Sequence, residues 1–137
     1  MKRTAAAGNS GRIEGLERVF RALADKTRLR ILALIGGNEV CVCHIHDSLG
    51  LAQPTVSRHL AYLRRAGLVD TRRDGVWMHY QLSASLDPSV RSVVNAAIEA
   101  LTGTRDAVQD RRQFERSFGG LYVLAASNGG SCCAPRA

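Results

Sequence analysis

The 137-residue chain is long enough for one compact domain with tails, and 45% hydrophobic and 23% charged residues describe a globular rather than a disordered protein. A formal net charge of +7 and a pI near 9.9 suit a polyanionic partner such as nucleic acid, although a membrane surface satisfies the same balance. No run reaches the roughly 18 apolar residues that span a bilayer. Polar Gly8-Asn9-Ser10-Gly11 follows Lys2-Arg3 where a signal peptide needs an apolar stretch, so a cytoplasmic protein with no membrane role is expected.

Residues 1–11 are small, polar and basic and read as a loose N-terminus. From Ile13 an apolar stripe of Ile13, Leu16, Phe20 and Leu23 predicts a helix. Asp25 is a good N-cap for a second helix, Lys26 to Ile35, whose apolar residues lie nearly all round, and Gly36-Gly37 ends it. A short helix from about Val40 to Leu49 meets the turn residue Gly50, and Pro54 suits the first turn of the next helix, which runs to about Ala66 and is closed by Gly67. Two helices joined by a short Gly-containing turn form a helix-turn-helix.

Leu68 to Arg73 and Val76 to Leu82 read as strands around Asp74-Gly75, a hairpin signal for a type I′ turn with positive φ at both central residues. A helix from Pro88 to Thr102 presents Leu86, Val90, Val93, Val94, Ala97, Ile98 and Leu101 as one apolar stripe. Arg105 to Arg116 is at most a weak helix, and Gly119 to Ala137 reads as a flexible tail. The fold class expected is mainly α with a β-hairpin wing, a winged helix-turn-helix between Cys41 and Leu82.

On the second helix of the pair, Val56, Leu60 and Leu63 cluster on one side, while Arg58, Tyr62 and Arg65 face the opposite way. Gln53, Thr55, Ser57 and His59 add polar groups towards its N-terminal end. An apolar back and a donor-rich front suit a helix lying in the major groove of duplex DNA. Arg72 and Arg73 precede the hairpin turn and are placed to meet phosphates or a minor groove. The DNA-contacting set is therefore Gln53, Thr55, Ser57, Arg58, His59, Tyr62, Arg72 and Arg73. His79 reads as a surface residue of the wing, and Trp77 as a packing anchor.

Leu23-Ala24-Asp25-Lys26-Thr27-Arg28-Leu29-Arg30-Ile31-Leu32 resembles the opening signature of the ArsR/SmtB family of metal-responsive repressors. Gln53-Pro54-Thr55-Val56-Ser57-Arg58-His59-Leu60 and Leu63-Arg64-Arg65-Ala66-Gly67-Leu68-Val69 resemble its recognition helix and exit, with Ala52 where a Ser often caps the helix. The resemblance covers roughly residues 13 to 102. It implies a homodimer that sits on double-stranded operator DNA and leaves when a metal or metalloid binds. The wide stripe of the last helix, with the first helix as its partner, agrees with a dimer. The expected organisation is a flexible segment over 1–11, a DNA-binding and dimerisation domain over 12–102, and a partly disordered C-terminal extension over 103–137 carrying a cysteine pair.

Four cysteines in a reducing compartment point to metal or redox chemistry rather than a disulfide framework. Cys41 and Cys43, two apart, would point roughly 200° from each other on a regular helix. They can share one ion only if that first turn unwinds or lies outside the helix. Glu39-Val40-Cys41-Val42-Cys43 is similar to the arsenite-sensing segment of the family's arsenic-responsive branch, with His46 where that branch has a third Cys. The resemblance implies trivalent arsenic or antimony as inducer, soft acids that want thiolates. A third sulfur could come from Cys132 or Cys133, in the same or the other subunit, or an external thiol or hydroxide could complete the site. Cys41 and Cys43 with His44 or His46 form an alternative nitrogen–sulfur set for cadmium, lead or zinc. The Asp/His constellation of zinc-responsive relatives is not available on the last helix, which has no His. A small thiol redox protein lacks its usual C-x-x-C spacing and βαβ context, and no convergent acid/base set suggests an enzyme. A ligand-independent architectural DNA binder is the remaining alternative.

Overall fold

The computed structural model describes the backbone of residues 3–128 and the side chains of residues 11–119. It has α1 (Arg3–Leu23), α2 (Lys26–Ile35), β1 (Val40–Cys41), α3 (Val42–Leu49), α4 (Gln53–Arg65), β2 (Val69–Asp74), β3 (Trp77–Leu82), α5 (Pro88–Leu101) and α6 (Arg105–Asn128). This is a winged helix-turn-helix: α3 and α4 are the helix pair, and β2–β3 is the wing.

The helix α1 begins at Arg3, upstream of its apolar stripe, through an Ala5-Ala6-Ala7 run of high helix propensity. Its inward face is Val19, Ala22 and Leu23, whereas Ile13 is 70% and Phe20 55% exposed. The predicted stripe is thus largely left uncovered by the chain's own core. For α2 the Asp25 carboxylate accepts from the Arg28 backbone N–H at 3.0 Å, the expected N-cap. Gly36, at φ +46, closes the helix in a conformation side chains resist.

A two-residue strand, β1, occupies the predicted start of the third helix and pairs antiparallel with β3, giving the sheet order β1-β3-β2. Gly50 (φ +69) turns the chain between α3 and α4. No side chain caps α4 at Ala52; Pro54 occupies its first turn. Gly67 (φ +79) ends the α4 exit, where the Leu68 N–H bonds the Leu63 carbonyl at 3.0 Å. In the wing, Asp74 pairs with Trp77, so the two central residues are Gly75 and Val76 rather than Asp74 and Gly75. Only Gly75 has positive φ, at +64. A glycine at the first central position with a normal φ at the second matches a type II′ turn and corrects the type I′ expectation. Asp74 can therefore stay in the strand.

The core is aliphatic: Ile31, Leu32, Ile35, Ile45, Leu60, Leu63 and Leu68 are all essentially inaccessible. On α5, capped by Asp87 accepting from the Ser89 N–H at 3.0 Å, only Val94 is fully buried. The rest of its stripe stays half open.

The C-terminal extension departs most from expectation. Instead of a weak helix and a tail from Gly119, α6 runs for 24 residues and packs on α2 and α3. Asp110 accepts from Arg30 Nε at 2.8 Å and from a terminal guanidinium nitrogen at 2.7 Å. Arg111 donates to the Leu34 carbonyl at 2.7 Å, near the end of α2, and Phe114 is buried. These partners sit some 80 residues apart in sequence, which hides the helix from local pattern reading. The predicted ligands Cys132 and Cys133 lie outside the described residues. Among the described residues no helix is long and apolar enough to cross a membrane.

Candidate nucleic-acid interface and cysteine site

The inward side of α4 is Val56, Leu60 and Leu63, each fully buried, so periodicity orients this helix as expected. Gln53, Arg58 and Arg65 are exposed, and Thr55, Ser57, His59 and Tyr62 are half-buried. Two of these side chains are already held from behind. The Arg28 guanidinium of α2 lies 4.0 Å from the Tyr62 ring centroid and 3.3 Å from His59 Nδ1. Arg65 approaches the same ring at 5.8 Å. Arg28 also donates to the Ala22 and Arg21 carbonyls at the end of α1, at 2.7 and 3.1 Å. Sequence reasoning missed it: a helix residue in a family signature carries no local sign that it reaches a side chain 31 positions later.

The two wing arginines separate. Arg73 is exposed, but Arg72 makes a bidentate pair with Glu39 at 2.9 and 2.8 Å. Strand alternation sends neighbouring residues to opposite faces, and the Arg72 face is the one that carries Cys41. Hydrogen bonds from Arg72 hold the Glu39 carboxyl below its ordinary range.

At the other end of the pair, Cys41 is the N-cap of α3 in extended backbone, φ −71 and ψ 143, and Cys43 lies in the first helical turn. Because one cysteine stands outside the helix, their sulfurs converge to 2.9 Å rather than pointing apart. Cys41 takes part in a disulfide that does not include Cys43, a difference from the reduced thiols expected. Directly across the sheet from Cys41 is His79. His79 is 1% exposed, which corrects its assignment to the surface: β1 adds a third strand beside β3, so a wing position becomes internal. Burial, helped by the nearby Arg72 charge, lowers its pKa and favours the neutral ring, and among the described residues its Nε2 has no hydrogen-bond partner.

The two nearer histidines are also placed. His44 is buried and stacks on Phe118 of α6, with centroids 3.9 Å apart and planes at 19°. Burial pushes its pKa down to about 4. His46 sits near the C-terminal end of α3, with Nδ1 3.2 Å from the Leu51 carbonyl, so this ring is tied to the α3–α4 turn. Among the described residues no three His, Cys, Asp or Glu side chains are grouped to hold a metal ion. Two sulfurs do converge; with Cys41 reduced, such a pair suits a thiophilic ligand better than a hard cation.

The family model described as "Bacterial regulatory protein, arsR family" matches residues 25–71, from the α2 cap through the cysteine segment and α4 into the wing. The "Arsenical resistance operon repressor" of Escherichia coli is 41% identical over 80 residues, covering 58% of this chain and 68% of that protein. The chain belongs to the ArsR family. This ArsR-family protein is a DNA-binding transcriptional regulator, of a family of regulators and not enzymes. It is also 42% identical over 83 residues to "Arsenic resistance transcriptional regulator ArsR1" of Pseudomonas putida, covering 60% of this chain and 65% of that one. The chain thus spans about two thirds of the length of these two relatives. Among solved structures, the homodimeric winged helix-turn-helix DNA-binding domain Mb0332 of Mycobacterium bovis superposes with a TM-score of 0.57 at 28% identity. That match covers 72% of this chain and 92% of the other.

Proposed function

We propose that this ArsR-family regulator is a homodimeric cytoplasmic repressor that holds operator DNA and releases it on capturing trivalent arsenic or antimony. The observation that carries the reading is the convergence of Cys41 and Cys43 to 2.9 Å at the start of the helix that precedes the DNA-reading helix. Thiolates are the preferred donors for these soft acids, and the similar proteins of E. coli and P. putida are named for arsenic resistance. Each As–S bond replaces a hydroxyl of arsenite, the thiol proton leaving with it as water. Cys41 must be reduced to take part. Cys132 or Cys133 supplies the third sulfur.

DNA reading falls to Gln53, Thr55, Ser57, Arg58, His59 and Tyr62, with Arg73 on the wing. Arg72 stays with Glu39 and supports the wing from behind. Dimerisation is supported by the exposed Ile13 and Phe20 of α1 and by the half-open stripe of α5. Between these helices lies a groove of about 470 Å³ lined by Leu16, Val19, Leu86 and Val90.

The test is a gel shift with operator duplex selected from a random pool, under a phosphine reductant, titrating arsenite, antimonite, cadmium, lead and zinc. Arsenite or antimonite should release wild type, neither should release Cys41→Ser or Cys43→Ser, and changing Cys132 and Cys133 should weaken the response. A complex that survives excess arsenite and antimonite sinks the metalloid reading; release by cadmium, lead or zinc alone makes the site a metal-ion sensor.

A further inference from the structure

We infer that Arg28 is a positioning residue for DNA recognition: it fixes the His59 ring in the tautomer that turns an Nε2–H towards the operator. The inference rests on α4 being the DNA-reading helix. It adds a residue outside that helix and a defined chemical role for one residue within it.

The argument starts from what a guanidinium can do. Arg has five N–H donors and no acceptor. Its contact with His59 Nδ1 at 3.3 Å is therefore a hydrogen bond only when Nδ1 offers a lone pair. A neutral imidazole with a free Nδ1 carries its proton on Nε2. Asp25 is the competing partner, since its Oδ1 lies 3.7 Å from the same nitrogen. That distance is beyond a hydrogen bond, and the same oxygen already accepts the Arg28 N–H at 3.0 Å as the α2 cap.

Arg28 cannot easily turn away. Its side chain is only 11% exposed, two of its donors are held by carbonyls of α1, and its plane lies against Tyr62. The ring it orients belongs to α4, between exposed Arg58 and buried Leu60, and keeps 22% of its side chain accessible. With Nδ1 facing inward, Nε2–H is the donor left for DNA. Its acceptor is a phosphate oxygen or the N7 or O6 of a guanine.

Two measurements decide the matter. Long-range ¹H–¹⁵N correlation on the full-length wild type at pH 8, with His59 assigned by its loss in His59→Gln, should show the Nε2–H tautomer. The Nδ1–H tautomer would overturn the proposal without touching the DNA-reading assignment. Operator affinity then tests the role. A Gln side chain places its N–H₂ near the Nε2 position and an Asn near Nδ1. His59→Gln should stay within about threefold of wild type, while His59→Asn and His59→Ala lose roughly tenfold, the worth of one hydrogen bond. Arg28→Lys should weaken wild type but cost less in the His59→Gln background, an outcome a purely structural Arg28 does not produce. Equal losses for Gln and Asn, or equal Arg28→Lys costs in both backgrounds, would refute it. Losses uniform across sequences identify a phosphate acceptor; losses confined to one base pair identify guanine. A wild type that binds no duplex fails the underlying reading instead, and the tautomer measurement still stands.

Discussion

Replacing Asp110 by Ala tests whether α6 is an integral part of the domain. The Asp110 side chain is 4% exposed and receives two charge-assisted hydrogen bonds from Arg30, at 2.8 and 2.7 Å. Asp110 raises the Arg30 pKa through these bonds, and even without it a guanidinium is not deprotonated in a protein, so Arg30 stays charged when its partner is removed. Breaking a buried pair costs about 3–5 kcal/mol because an uncompensated charge is left behind. Arg30 keeps a bond to the Leu49 carbonyl at 2.9 Å and is 21% exposed, which relieves part of that penalty. The expected loss is therefore at the low end, about 3 kcal/mol. With a urea m-value of roughly 1–3 kcal/mol/M, the midpoint should fall by about 1–3 M. Circular dichroism in urea at one fixed protein concentration reads it, since any dimerisation adds to apparent stability. The Arg30→Met, Asp110→Leu double variant should return to within about 1 kcal/mol of wild type, because a matched apolar pair leaves no stranded charge. A single variant that loses less than about 1 kcal/mol, or a double as unstable as the single, would refute an integral α6 held by this pair.

Glu39→Gln should remove part of the acid sensitivity of the fold. Arg72 depresses the folded-state pKa of Glu39 below its ordinary 4.5, so its contribution is present above that value and lost as pH falls through the folded one. Urea midpoints between pH 3 and 6 should therefore slope less in the variant, and at pH 7 the partly exposed pair should be worth under about 1 kcal/mol. An unchanged slope would mean that the ion pair does not set the acid response. Gly67→Ala has room for its methyl but must hold φ at +79, so it should cost about 1 kcal/mol and a few degrees in Tm, with Gly67→Asn milder; a neutral Ala variant would contradict the strain. For Arg58→Ala, a phosphate contact predicts a shallower salt dependence, by about 0.9 in the log–log slope, whereas a guanine contact predicts relaxed preference at one base pair. Unchanged operator binding would take Arg58 out of the interface.

Elements that depend on neighbours in sequence are legible in the chain itself. The cap at Asp25, the glycine stops and the apolar back of α4 each follow from local chemistry, and each is found where periodicity puts it. What periodicity could not show is pairing across long separations. The strand β1 has two residues, too few for an alternating pattern, and exists because β3 offers a free edge. That same strand buries His79, and Glu39 just before it pairs with Arg72, so an apparently exposed wing face is partly internal. The α6 helix has little apolar periodicity over 105–116; it is held by Arg30, the Leu34 carbonyl and His44, supplied by α2 and α3. The cysteine geometry lies between these cases. The 200° conflict said that sharing one ion needs the first turn to unwind or lie outside the helix, but not that a strand would receive Cys41.

That strand changes what ligand capture at the cysteines would pull on. Cys43 belongs to α3, an eight-residue helix about 12 Å long that ends at the Gly50 turn into α4. Cys41 belongs to β1, hydrogen-bonded to the β3 strand of the wing. A ligand bridging the two sulfurs therefore ties the mount of the DNA-reading helix to the mount of the wing, the two elements a winged helix-turn-helix places on DNA. Coupling requires only that the bridged arrangement differ in energy between the DNA-bound and free orientations of those elements. A shift in one mount relative to the other would misalign α4 against Arg73, so release does not require α4 to unfold. Phe118 stacked on His44 resists rotation of α3 from its far side. If the α6 anchor holds α3 in place, ligand capture at the cysteines would act mainly through β1 and the wing to which it is paired.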